Sequence, residues 1–213
     1  MKNRFSIILL VAICLLGSPV FSQQGTQEAD EKTLGLPGDN LDLYAVLNLF
    51  QKSKTIEDFE KSLNLEKTGI NNLDLNLDEK VDFIKVTTKQ DGKNFTFILQ
   101  DDVSETEVQD VAVIMVSKDE KGKVSLQIIG DEDLYGKNYV VEPKPAAAAV
   151  TPNPAYIGTE PVKVTTEAST TVVVVESAPI VQYVYSPVYV PYYPPYTYVY
   201  HPPYFAYFTV MAV

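Results

Sequence analysis

The chain has no tryptophan, one cysteine and one histidine among 213 residues. From Ser177 to Val213 it also lacks every Asp, Glu, Lys and Arg. Each absence excludes a class of chemistry. Cys14 lies in the N-terminal apolar run, so a processed chain would hold no cysteine at all. Disulfides, thiolate metal sites and a cysteine nucleophile are then excluded. His201 stands between Tyr200 and Pro202, far from the acidic middle of the chain. A Ser-His-Asp triad within the folded part and a histidine-based zinc site are therefore not expected. The 10 glycines are scattered and form no phosphate-cradling loop.

What is present divides along the chain. Lys2 and Arg4 precede an apolar run from Phe5 to Leu16. At ~12 residues it has the length of a signal-peptide core and is too short to span a bilayer. Gly17 and Pro19 break it, and Val20-Phe21-Ser22 forms an acceptable cleavage site. The expectation is a signal peptide over 1–22 and an exported protein of the periplasm, outer envelope or extracellular space. Ile13 before Cys14 disfavours lipidation, which wants a small residue there. Loss of Lys2 and Arg4 leaves 15 basic and 28 acidic side chains, a net charge of −13. That charge disfavours nucleic acid and anionic lipid as partners and suits divalent cations or basic ones.

Residues 23–38 are polar and read as a flexible lead-in. A small folded domain is expected over 39–142, enough chain for one core. Asp39 or Asn40 can cap a first helix whose Leu43, Val46, Leu47 and Phe50 form one apolar stripe. Thr55 and Asp58 resemble a capping box that opens a second helix, with Ile56, Phe59 and Leu63 on one face and Thr68-Gly69 as its stop. The period then shortens to two. Val81 to Thr88 and Asn94 to Gln100 read as a hairpin around Asp91-Gly92. Val111 to Ser117 and Val124 to Ile129 read as a second pair, and Asn138 to Val141 as a short fifth strand. The predicted fold is α+β: two N-terminal helices packed on a four- to five-stranded antiparallel meander. The strand from Val111 to Val116 is apolar on both faces and is expected to be central.

Beyond it, 143–176 reads as a Pro/Ala/Thr/Val-rich linker, with a short β-prone run from Val172 to Val175. Residues 177–213 form a low-complexity tail. Between 183 and 208 it holds 10 Tyr, 2 Phe and 6 Pro. Such proline density excludes a regular helix or central strand, and the tail is expected to stay outside the domain's core. It reads either as an extended segment or as a contact for an envelope component or protein, since Tyr joins an apolar body to a polar tip. Pro187, Pro191, Pro194 and Pro195 argue against a transmembrane span.

One segment carries site chemistry. Asp74, Asn76, Asp78 and Asp82 fall at positions 1, 3, 5 and 9 of a loop that runs into a strand. Alternate oxygens of a tight loop can converge on calcium, which takes six to eight of them. Lys80, at position 7, would add its backbone carbonyl. Position 6 is Glu79, where a sharp turn favours glycine, and position 12 is Lys85, where an acid is usual. The competing reading is an acidic, Asn-rich turn between the second helix and the first strand. Asp101-Asp102 and Asp131-Glu132-Asp133 are further carboxylate clusters, expected as solvated hairpin ends.

These segments carry a resemblance. Asn40-Leu41-Asp42-Leu43-Tyr44, Asn72-Leu73-Asp74-Leu75-Asn76, Val81-Asp82-Phe83-Ile84-Lys85-Val86, Gln109-Asp110-Val111-Ala112-Val113 and Gln127-Ile128-Ile129-Gly130-Asp131 together look like a group of exported bacterial proteins of unknown function. Those proteins are similar in having an EF-hand-like aspartate loop that enters a strand, then a Tyr/Pro-rich C-terminus. The resemblance covers about half the chain and implies no enzyme. The expectation is an exported structural or binding protein of the cell envelope, stabilised by calcium if the loop loads. The alternative is a small carboxylate-dependent hydrolase acting on envelope or extracellular material. A concave site joining Asp101 or Asp131 to Asp74 would favour the enzyme; an exposed, separate loop would favour binding.

Overall fold

A computed structural model describes residues 34–144 and 175–210. The expected signal peptide, most of the lead-in and most of the linker lie outside the described residues. Within them the chain is an α+β fold. Two helices, α1 (Leu43–Lys52) and α2 (Ile56–Leu63), precede a sheet of five antiparallel strands. These are β1 (Ile84–Asp91), β2 (Asn94–Asp101), β3 (Gln109–Lys118), β4 (Val124–Gly130) and β5 (Val140–Val141), in the spatial order of the chain. The doubly apolar strand β3 is central, as its pattern requires.

Local chemistry sets the helix ends. Asp42, not Asp39 or Asn40, caps α1, accepting from the Tyr44 amide at 2.8 Å. Asp39 and Asn40 instead sit in a 3-10 turn over Pro37–Asn40. Thr55 Oγ1 caps α2 through the Asp58 amide at 3.1 Å. This helix ends at Leu63, earlier than Thr68-Gly69, because the Asn64 side chain is drawn into the sheet edge described below. Thr68-Gly69 closes a separate turn over Glu66–Thr68, with Gly69 at φ 61°. The hairpin turns where expected, but one residue later than an Asp-Gly turn: Asp91 pairs with Asn94, and Gly92, at φ 57°, and Lys93 form the turn. A short helix, α3 (Glu132–Tyr135), lies between β4 and β5 and is capped by Asp131.

The core lies between the helices and one sheet face. Phe50 meets Phe59 and Phe97 with ring centroids at 5.2 Å, inside a shell that includes Leu43, Leu47, Ile84, Leu99 and Ile114. Tyr135 closes one end of this core. Its hydroxyl donates to the Leu41 carbonyl at 2.9 Å, and its ring fills the space that a Cβ on Gly38 or Gly130 would occupy.

The C-terminal segment completes this core, contrary to the expectation that it stays outside. A helix α4 (Pro179–Val184) packs beside α1 and buries Ile180, Val181 and Val184 among the core residues. Pro179 sits in the first turn of α4, where a missing amide costs nothing, and the dense prolines begin only after the helix has ended. Beyond α4 the chain runs back over α2 and β1. Tyr185 and Tyr189 each pack edge-on against Phe95, and Tyr196 and Phe205 against Phe83. Tyr185 donates to the Lys93 carbonyl at 2.8 Å.

The outer edge of β1 is covered by side chains. Asn64 Nδ2 donates to the Ile84 carbonyl and Asn64 Oδ1 accepts the Ile84 amide, both at 2.8 Å. Glu60 Oε2 accepts the Val86 amide at 2.8 Å, and Glu60 Oε1 accepts the Tyr192 hydroxyl at 2.7 Å. Asn71 extends the network by donating to the Asp82 carbonyl at 2.8 Å. These groups supply the β1 backbone partners that a neighbouring strand would otherwise give. Burial pushes the Glu60 carboxyl up to about 7, against the lowering effect of its two hydrogen bonds.

Candidate metal centre

The loop from Asp74 to Asp82 is folded by its own carboxylates. Asp74 accepts the Asp78 amide at 3.0 Å through Oδ1 and the Glu79 amide at 2.9 Å through Oδ2. Asn76 Oδ1 accepts the Asp78 amide at 2.9 Å, and Asp78 Oδ1 the Lys80 amide at 3.0 Å. Asp82 Oδ2 reaches back to the Leu75 amide at 2.5 Å. Glu79 takes the left-handed conformation, at φ 65°, that position 6 of such a loop demands, although it is not glycine. Leu77 is also left-handed, at φ 61°, and its side chain is 82% exposed. Left-handed non-glycine residues each cost on the order of 1 kcal/mol, so this loop holds two unfavourable backbones in place by hydrogen bonds to its acids.

Asp74, Asp78 and Asp82 each offer an oxygen within 4.8 Å of the others. That spacing is within the span of ligands on one calcium ion, whose oxygens lie about 2.3–2.6 Å from the metal. Asn76 is bonded into the same turn. The bridge that pairs Lys80 with Thr209 uses the Glu79 carbonyl and the Val81 amide, leaving the Lys80 carbonyl out of it. The Lys80 ammonium pairs with Asp78 Oδ2 at 3.0 Å, which raises its affinity for the proton. At position 12, Lys85 pairs with Asp102, at 2.5 Å, and lines one cavity with Asn76, Asp78 and Asp82.

The C-terminal segment fastens this loop. Val81 donates to the Phe208 carbonyl at 2.9 Å, and Val210 to the Glu79 carbonyl at 3.1 Å. Together loop, β1, β2 and tail line a cavity of about 130 Å³ that includes Asp78, Asp82, Asp101, Asp102, His201 and Tyr207. His201, expected to lie apart, stands against Phe83 with ring centroids 5.6 Å apart and bonds Tyr207 through Nε2 at 2.5 Å. Burial lowers its proton affinity. No serine is among the lining residues.

Asp101 is the residue that spacing alone missed. It was expected at a solvated hairpin end, yet it is 2% exposed and lies in hydrogen-bond contact with the Asp82 carboxyl, itself 6% exposed. Burial and then the neighbouring Asp82 push the Asp101 carboxyl up to about 9, and burial also raises Asp82. A signal was present: Phe95, Phe97, Leu99 and Asp101 alternate on the buried side of β2, so parity alone points Asp101 inward. Asp131 caps α3 and does not join the Asp74–Asp78–Asp82 cluster. No helix of the described residues is long and apolar enough to cross a membrane. No protein family, curated protein or solved structure matches the chain significantly.

Proposed function

We propose that the protein is an exported structural or binding protein of the cell envelope, whose aspartate loop takes a calcium ion. The observation that carries the ion site is the convergence of Asp74, Asp78 and Asp82 within 4.8 Å on a loop with the required left-handed turn. Asn76 and the Lys80 carbonyl complete the loop's ligand set. The ion neutralises clustered acids and fixes the link between α2 and β1, which stabilises the fold by linkage. The aromatic segment that borders the loop presents Tyr193 and Tyr200 outward, as a surface for an envelope component or a protein. Thermal melting of the chain from Gln23 to Val213 tests the ion site. Millimolar calcium is expected to raise Tm by several degrees over the chelated protein; an unchanged Tm overturns it.

A second reading, a small carboxylate-dependent hydrolase of envelope or extracellular material, is favoured by the cavity that joins Asp101 to the loop. Asp82 and Asp101, in contact and both raised by burial, form a carboxyl pair that can share one proton, an arrangement suited to general acid–base work. Hydrolysis of envelope polysaccharide or peptide that survives in Asp101→Asn would overturn this reading.

A further inference from the structure

We infer that Asp101, from the end of β2, supplies the aspartate loop with the cation ligand that the loop's own twelfth position lacks. This rests on the calcium reading above. The loop offers five donors: Asp74, Asn76, Asp78, Asp82 and the Lys80 carbonyl. Calcium takes six to eight oxygens, and in loops of this kind a bidentate acid at position 12 closes the shell. Here that position is Lys85, whose ammonium is engaged by Asp102 at 2.5 Å.

Asp101 fits the vacant role. Its Oδ2 is buried and no N–H or hydroxyl group donates to it. The residue lines the same cavity as Asn76, Asp78 and Asp82, and its carboxyl lies against that of Asp82. The two nearby ammonium groups are already assigned, Lys80 to Asp78 and Lys85 to Asp102. Two carboxyls buried in contact ionise together only when a cation lies between them. A cation seated on Asp82 is shared between loop and strand, and loading turns the Asp101 carboxylate toward the loop. The ion then ties the loop to the end of β2, 27 positions from Asp74, rather than closing the loop on itself.

The test is calcium titration calorimetry on the chain from Gln23 to Val213 and on D74N, D101N and D102N. D101N is expected to weaken binding about tenfold or more, as D74N does, and D102N by less than about threefold. Melting in chelator checks the folding of each variant, and D101N should melt no lower than the unsubstituted chain, since it relieves the contact with Asp82. The carboxyl carbon resonance of Asp101 in the unsubstituted protein gives a readout that needs no variant: it is expected to shift on calcium addition. Calcium binding that D74N weakens tenfold or more and D101N leaves within about twofold overturns the role of Asp101 alone, as does an unmoved Asp101 resonance. Absence of binding by the unsubstituted chain overturns the calcium reading itself.

Discussion

The acidic region, residues 39–142, and the uncharged one, residues 177–210, build one core by opposite means. In the first, backbone groups are satisfied by ladders between strands, and side chains alternate between core and solvent. In the second, described ladder contacts shrink to two isolated bridges, and tyrosine hydroxyls do part of the anchoring, Tyr185 to a carbonyl and Tyr192 to Glu60. The difference teaches that composition decides how a segment is held and not whether it is held. Prolines forbid a ladder, but they leave ring faces and hydroxyls to do the work.

The sharpest way to break this comparison is to empty each half of the core. Phe97→Ala should cost about 3–5 kcal/mol, and Ile180→Ala about 2–5 kcal/mol, in one shared unfolding transition. Chemical denaturation followed by far-UV circular dichroism and tyrosine fluorescence reads both. If Ile180→Ala leaves the sheet's transition where it was, the C-terminal segment is an appendage and the comparison fails.

Glu60 joins the two regions and gives the next largest effect. The unfolded chain ionises this carboxyl near its ordinary 4.5, and the folded chain only near 7. Between those values the folded state holds a proton that the unfolded state has lost. Stability therefore falls as pH rises from about 4.5 to about 7, by roughly 3 kcal/mol at most. Glu60→Gln should remove that share of the pH dependence, seen as the difference between the two chains' urea midpoints at pH 5 and pH 8. Parallel pH profiles for the two would show that Glu60 is not held as described.

The smallest effects compare single polar anchors. Thr55→Ala removes the α2 cap and should cost about 1 kcal/mol. Tyr185→Phe removes the hydroxyl that holds the aromatic segment to Lys93 and should cost about 0.5–1.5 kcal/mol. Equal losses in melting stability would place the two kinds of anchor on one scale. A silent Tyr185→Phe would leave ring packing as the dominant hold at that point.

Much of the acidic region was legible because its signals are local. Thr55 with Asp58, Asp91-Gly92 and the doubly apolar run of β3 each act within a few residues, and the structure places each as read, the hairpin turn one residue later. The aspartate loop was legible for the same reason, and three of its acids do converge. Asp101 was not, because its meaning depends on which way β2 faces and on an acid 19 positions away. Ile180, Val181 and Val184 carry helical spacing in plain view, but the prolines that follow governed the reading of the whole segment. The cap of α1 was misplaced because three acid or amide residues, Asp39, Asn40 and Asp42, compete within four positions, and only tertiary fit selects among them.

The amide and carboxylate that cover β1 have a further consequence for how the protein behaves in company. An open strand edge is a template on which another chain can add a strand, and so a seed for aggregation. On this sheet one lateral edge is stapled by Asn64 and Glu60, and the other ends in a strand of two residues. Asn64 and Glu60 act as gatekeepers on that edge, and apolar residues in their place would leave the Ile84 and Val86 amides open to another chain.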